Sequence, residues 1–194
     1  MLNLIWREYI LFKQSMLFFI PFILFLTFFY DGFHTAVIFL GGSFAISFNS
    51  YAYDEKAETD ILLNSLPYTR KEIIASRYLG GIVHMIVSIA FTSALLFIFN
   101  KPYTVTDIAI SIALFLVFAS LLFPLFHVIK KGYFLTVAVN SFLLITIPGS
   151  KVRSFVANLV TAVTEFTSGA MLAAMLIYAV SWGISVIIYE RKEF

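Results

Sequence analysis

The densest run of chemically capable side chains is Asp54 to Tyr78 (DEKAETDILLNSLPYTRKEIIASRY), which mixes five acidic with four basic residues. Carboxylates interleaved with ammonium and guanidinium groups suit ion pairing with a complementary protein surface or with lipid headgroups. Elsewhere such groups are sparse. The three histidines, His34, His84 and His127, fall in different segments, which favours separate sites over a metal cluster. For His84 two roles stand side by side, a hydrogen-bonded interior histidine and a contact to a ligand or substrate. Asn49 and Asn140 are the most polar uncharged residues deep in apolar stretches. With His84 they are candidates to line a translocation path, and interhelical hydrogen bonding is the commoner role for such groups. No GxxxxGK[ST], HExxH or GxSxG sequence occurs, so no nucleotide site, catalytic residue or metal site is assigned.

The elements that must position these groups are membrane helices. Of 194 residues 61% are hydrophobic and 12% charged, with 23 Phe and a mean hydropathy of +0.95. Soluble domains carry about 25% charged residues, so composition alone makes this an integral membrane protein. At roughly 20 apolar residues per span, the length allows six helices in a single transmembrane domain, 1–194. The expected fold is all-α, with spans at Ser15 to Tyr30, Phe33 to Tyr53, Ile73 to Phe99, Ile108 to Ile129, Tyr133 to Pro148 and Gly169 to Tyr189. Small-residue pairs such as Gly41 with Ala45 and Ala179 with Gly183 mark close helix packing. The dense Phe run of span one reads as lipid contact and packing, or as an apolar substrate surface.

Charge sets the orientation. With the N-terminus inside, Arg7, Lys13, Lys56, Arg70, Lys71, Arg77, Lys130, Lys131, Arg191 and Lys192 face the cytoplasm, and Lys101, Lys151 and Arg153 face outward. Ten against three satisfies the positive-inside rule. Both termini and the 54–78 segment are therefore expected in the cytoplasm of a multi-pass cell-membrane protein. Residues 1–14 form either an amphipathic interfacial helix or the first turns of span one. Residues 150–168 space Val152, Phe155, Val156, Leu159, Val160 and Val163 as an outer amphipathic helix, a surface connector or a lid. The spans hold no acidic residue away from their ends, which argues against a proton- or sodium-coupled carrier.

The 54–78 segment has a definite expected shape. Asp54 is placed as the N-cap of a short helix, with Glu55 suited to its first turn. Ala57, Ile61, Leu62 and Leu66 then fall on or near one face, opposite Glu58, Thr59 and Asp60. Leu66-Pro67 stops that helix, because proline drives the preceding residue out of the α region. Thr69 and Glu72 form a capping box that opens span three. The product is a compact cytoplasmic helix that a partner could grip, or whose apolar face rests on headgroups.

This stretch resembles the corresponding segment of six-span permeases of the type-2 ABC exporter family. The likeness is carried by Asp54, Glu55, Lys56, by Ser65-Leu66-Pro67, by Arg70-Lys71-Glu72 and by Arg77, with support from the preamble Leu4-Ile5-Trp6-Arg7-Glu8. The resemblance implies a permease that dimerises, with a second permease chain identical or homologous, and docks on separate ABC ATPase subunits. The loop would be the coupling helix, with Glu55, Glu58, Asp60, Ile61, Leu62, Leu66, Pro67, Arg70, Lys71 and Arg77 facing the ATPase. ATP and Mg would bind the partner, and no cofactor this chain. Its partners would be the ATPase, the second chain and the bilayer, with no nucleic acid. The nearest likeness is to Gram-positive exporters of amphipathic or antimicrobial peptides, including the phenol-soluble modulin exporters, which implies a bacterial plasma membrane. The competing reading is a stand-alone membrane sensor or immunity protein whose loop binds a signalling partner.

Overall fold

The computed structural model describes residues 19–28, 35–56, 68–128, 154, 158, 161 and 167–191, with the backbone alone at 53–56, 127–128 and 167–168. Every described element is a helix. They are α1 (Phe19–Phe28), α2 (Thr35–Lys56), α3 (Arg70–Ile98), α4 (Val105–Val128) and α5 (Thr167–Glu190). α2 to α5 are each long and apolar enough to cross a membrane, so four of the six expected spans correspond to described helices, with Phe33, His34 and Ile129 at their ends outside the described residues. Ser154, Asn158 and Thr161 are helical and exposed. The fifth expected span, the segment 1–14 and the rest of 150–166 lie outside the described residues.

The α3–α4 turn is the most tightly specified connection. Asn100 adopts φ 53°, a left-handed conformation that asparagine tolerates better than other residues bearing a Cβ. Its N–H bonds to the Phe97 carbonyl at 3.1 Å and that of Lys101 to Leu96 at 2.9 Å, the paired bonds of a Schellman termination. Thr104 then opens α4: the Asp107 carboxylate accepts from the Thr104 N–H and hydroxyl, each at 2.8 Å, while Thr104 Oγ1 accepts from the Asp107 N–H at 3.2 Å. This is a second capping box, T-x-x-D where Thr69 to Glu72 is T-x-x-E, and it is an equally local sequence signal.

Two cationic side chains fix the helix directions. Lys101 Nζ donates to the Thr27 carbonyl at 2.7 Å, so α1 and α3 end on the same side. Arg70 Nη1 donates to the carbonyls of Tyr189 at 3.2 Å and Glu190 at 2.6 Å, so α5 ends where α3 begins. Each cation meets the negative end of a helix dipole and satisfies carbonyls left open there. Since α4 runs opposite to α3, α4 and α5 are parallel, and the chain between them leaves one end of the bundle and returns at the other.

α4 packs most extensively on α5, and α2 on α3. One core joins α2 to α5 around Phe44, Tyr78, Phe115, Phe123, Tyr178 and Tyr189. A second lies where α1, α2 and α3 meet, around Phe19, Ile23, Phe39, Ile46 and Leu96. The opposite face of α5 stays apolar and open, with Leu172, Leu176 and Val180 each more than 60% exposed, as hydrocarbon or another apolar surface permits.

Candidate functional site

On α3, Arg77, Gly81, His84, Ser88 and Thr92 recur at spacings of three and four and are all buried, so they form one stripe. On α2, Ser43, Ser47 and Ser50 do the same. The stripes bound a polar seam in an otherwise apolar bundle. Near one end is a cavity of about 10 Å3 lined by Ser47, Ser50 and Tyr51 of α2, by Arg77, Gly81 and His84 of α3, and by Phe123 of α4. That is room for a single water.

Arg77 is 8% exposed, and its guanidinium stands 5.5 Å from the centre of the Tyr51 ring. Tyr51 in turn meets Phe126 at 4.5 Å and Phe123 at 5.4 Å between centroids. The cation is thereby tied through aromatic faces to α2 and α4, and the desolvated ring quadrupole favours it. Among the seven lining residues there is no carboxylate.

A second polar cluster holds α3, α4 and α5 together. Pro124 lies inside α4 and has no N–H to give the carbonyl four residues back. That carbonyl, of Ser120, accepts instead from the Ser181 hydroxyl of α5 at 2.6 Å. Ser181 is therefore left to accept from the Tyr78 hydroxyl at 2.7 Å, and Ser185 completes the chain at 2.7 Å. Tyr178 donates to the Tyr78 carbonyl at 2.9 Å. Tyr78→Phe leaves the Ser185 hydroxyl buried without this acceptor. It is expected to destabilise the bundle by about 1–3 kcal/mol, read as a lower thermal midpoint of the purified protein, with Tyr78→Phe and Ser185→Ala strongly coupled in a double-mutant cycle.

A family model described as ABC-2 family transporter protein matches residues 3–190. The chain belongs to the ABC-2 transporter family. It is thus a membrane permease of the ABC exporter type, a subunit class generally without an ATPase of its own. No curated protein and no solved structure matches it.

The permease departs from the expected shape at the start of the 54–78 segment and agrees with it at the end. Asp54, Glu55 and Lys56 continue α2 rather than starting a new helix, because nothing from Ala52 to Lys56 interrupts the backbone hydrogen-bond ladder. Asp54 is therefore not an N-cap. At the other end Thr69 caps α3 as expected: its N–H and hydroxyl each reach Glu72 Oε2 at 2.9 Å, and its Oγ1 accepts from the Glu72 N–H at 3.3 Å. Arg70 to Tyr78 are helical, so the connection ends at Thr69.

The proposed coupling residues divide accordingly. Glu58, Asp60, Ile61, Leu62, Leu66 and Pro67 lie outside the described residues, and Glu55 is described by its backbone alone. Lys71 is exposed, Arg70 is engaged with the end of α5, and Arg77 is inside the bundle.

Of the path candidates, His84 is 3% exposed and lines the cavity. Asn49 is half-buried on α2 and does not line it, and Asn140 lies outside the described residues. The polar residues of α2 that share the cavity with His84 are instead Ser47, Ser50 and Tyr51, which sequence reasoning passed over. Their signal was the i, i+4, i+7 recurrence of serine at 43, 47 and 50, facing a like recurrence from Arg77 to Ser88.

Proposed function

We propose that this permease forms, as a dimer, the translocation path of an ATP-driven exporter whose ATPase is a separate chain. The match over 3–190 carries this reading, and the lack of a nucleotide-binding motif supports an external motor. The parallel run of α4 and α5 supports an odd number of crossings between them, which Tyr133 to Pro148 would supply for a total of six. With both termini in the cytoplasm of a bacterial plasma membrane, the α2–α3 connection faces the motor. Nucleotide-driven closure of the ATPase pushes on Glu58 to Leu66 and is passed directly to α2 and α3. Amphipathic or antimicrobial peptides are the proposed cargo, on the overall likeness to Gram-positive peptide exporters. A stand-alone sensor gains no specific support from the described residues.

The deciding experiment replaces the apolar face of the connection. In Leu62→Asp/Leu66→Asp, the two carboxylates should abolish co-purification with the ATPase while leaving membrane insertion intact. Undiminished co-purification would remove that face as the docking surface.

A further inference from the structure

Ser88 and Thr92 are fully buried on α3, and neither hydroxyl has a hydrogen-bond partner among the described residues. Five other buried serine and threonine hydroxyls of the bundle are satisfied within their own helices. Thr27, Ser43 and Ser47 donate to the carbonyl four residues back, and Ser76 and Ser111 to the carbonyl three back. Ser88 and Thr92 have similar helical backbone near them and do not use it. A buried hydroxyl without a partner is unfavourable where an alanine or valine would fit at less cost. Its presence is accounted for if another conformation supplies the partner.

The position of the pair says what that conformation is. They extend the stripe of Arg77 and His84, and from Arg77 to Thr92 the line climbs fifteen residues, about 22 Å of helix and so most of a bilayer core of about 30 Å. The seam is shut by small groups. A Cβ on Gly42 of α2 would lie 2.8 Å from Ser88 Oγ and 2.7 Å from Ile23 Cδ1, so α2 lies against α3 with only a glycine at the contact. Gly42 places no side chain between α2 and α3 at that point, and parting the two helices exposes a line of hydroxyls, an imidazole and a guanidinium.

We propose that the α2–α3 seam is the closed form of a polar groove within one permease chain. When the helices part, it takes up water and a hydrogen-bond-accepting, anionic group of a ligand, which enters at Arg77. The chemistry of the lining sets the ligand class: a guanidinium only donates, hydroxyls donate readily, and the cavity lining holds no carboxylate. The proposal rests on the permease reading only for the event that drives the helices apart. The polar lining itself comes from α2 and α3.

The chain contains no cysteine, so Ser47→Cys, Ser88→Cys and Thr92→Cys each create a single thiol of nearly conserved size. The probes are an anionic sulfonatoethyl and a cationic trimethylammonioethyl methanethiosulfonate, applied without nucleotide to membranes permeabilised from both sides. Ala119→Cys, at a fully buried apolar position of α4, gives the rate for dry core. All three seam thiols are expected to react at least tenfold faster than that reference, equivalent to about 1.4 kcal/mol less cost of opening. At Ser47→Cys the anionic reagent should react faster than the cationic one, and Arg77→Gln should reduce the ratio. Seam rates no faster than Ala119→Cys would overturn the groove. A ratio at Ser47→Cys that is even or favours the cation would overturn the anionic ligand. No ATPase takes part, so loss of the docking result in Leu62→Asp/Leu66→Asp and loss of this one are separate outcomes.

Discussion

Gly81→Leu is expected to leave almost no folded permease in the membrane, while Gly183→Ala is expected to be neutral or mildly stabilising. Both glycines sit in apolar helices of similar appearance in the sequence, but their surroundings differ. A Cβ on Gly81 would lie 2.9 Å from Phe123 Cζ, 3.0 Å from its Cε2 and 3.4 Å from the Tyr178 hydroxyl. The Phe123 ring is hemmed in by Tyr78 at 5.0 Å, Tyr51 at 5.4 Å and Phe126 at 6.0 Å between centroids, and the cavity beside it has room for about one water. A single added methyl in such a core costs about 1–3 kcal/mol, and leucine adds three more carbons to the same space. α3 would have to leave α4 and α5, and the Tyr78 hydroxyl chain would break with it. A Cβ on Gly183 meets nothing within 4 Å, so there the gain in helix propensity, up to about 1 kcal/mol, is unopposed. Monodisperse yield and thermal midpoint in detergent separate the two. Comparable loss at both sites would disprove the packing at Gly81.

Arg77→Gln is expected to uncouple transport while sparing association with the ATPase. The pattern of charges alone groups Arg77 with Arg70 and Lys71 as a surface cation for the motor. Burial reassigns it: the guanidinium lies over Tyr51, which packs on Phe123 and Phe126. It therefore links the start of α3 to α2 and α4, just beyond the connection that the motor is proposed to push. A desolvated cation–π contact contributes about 2 kcal/mol, enough to bias how tightly the start of α3 is held against α2 and α4. Co-purification should persist near the native level, while export of an amphipathic peptide by the intact complex falls to background. Loss of co-purification in proportion to export would return Arg77 to the docking surface.

Much of the fold was legible because the bilayer leaves few choices. Four apolar runs became α2 to α5 nearly as marked, since a backbone in hydrocarbon must satisfy its own hydrogen bonds. Thr69 and Glu72 were readable because a capping box is local, needing only two side chains three residues apart. Asp54 misled because the same residue types cap helices and continue them, and nothing near it forces a break.

The site was harder to read because its membership depends on helix rotation and pairing. Asn49 is the more polar side chain on α2, but Ser47, Ser50 and Tyr51 are the residues turned toward the cavity. Arg70 looked like a free surface charge until the end of α5 arrived beside it, 119 residues away along the chain.

By itself the sequence determined that this is an all-helical membrane protein, where α3 is capped, and that no nucleotide motif is present. Those follow from composition and spacing, which act along the chain. Only the tertiary structure decided that Arg77 is internal, that Pro124 hands the Ser120 carbonyl to Ser181, and that Ser88 faces Gly42 between α3 and α2. Each of these depends on which residues of different helices meet, and helical periodicity fixes the face a residue shares but not the helix that covers it.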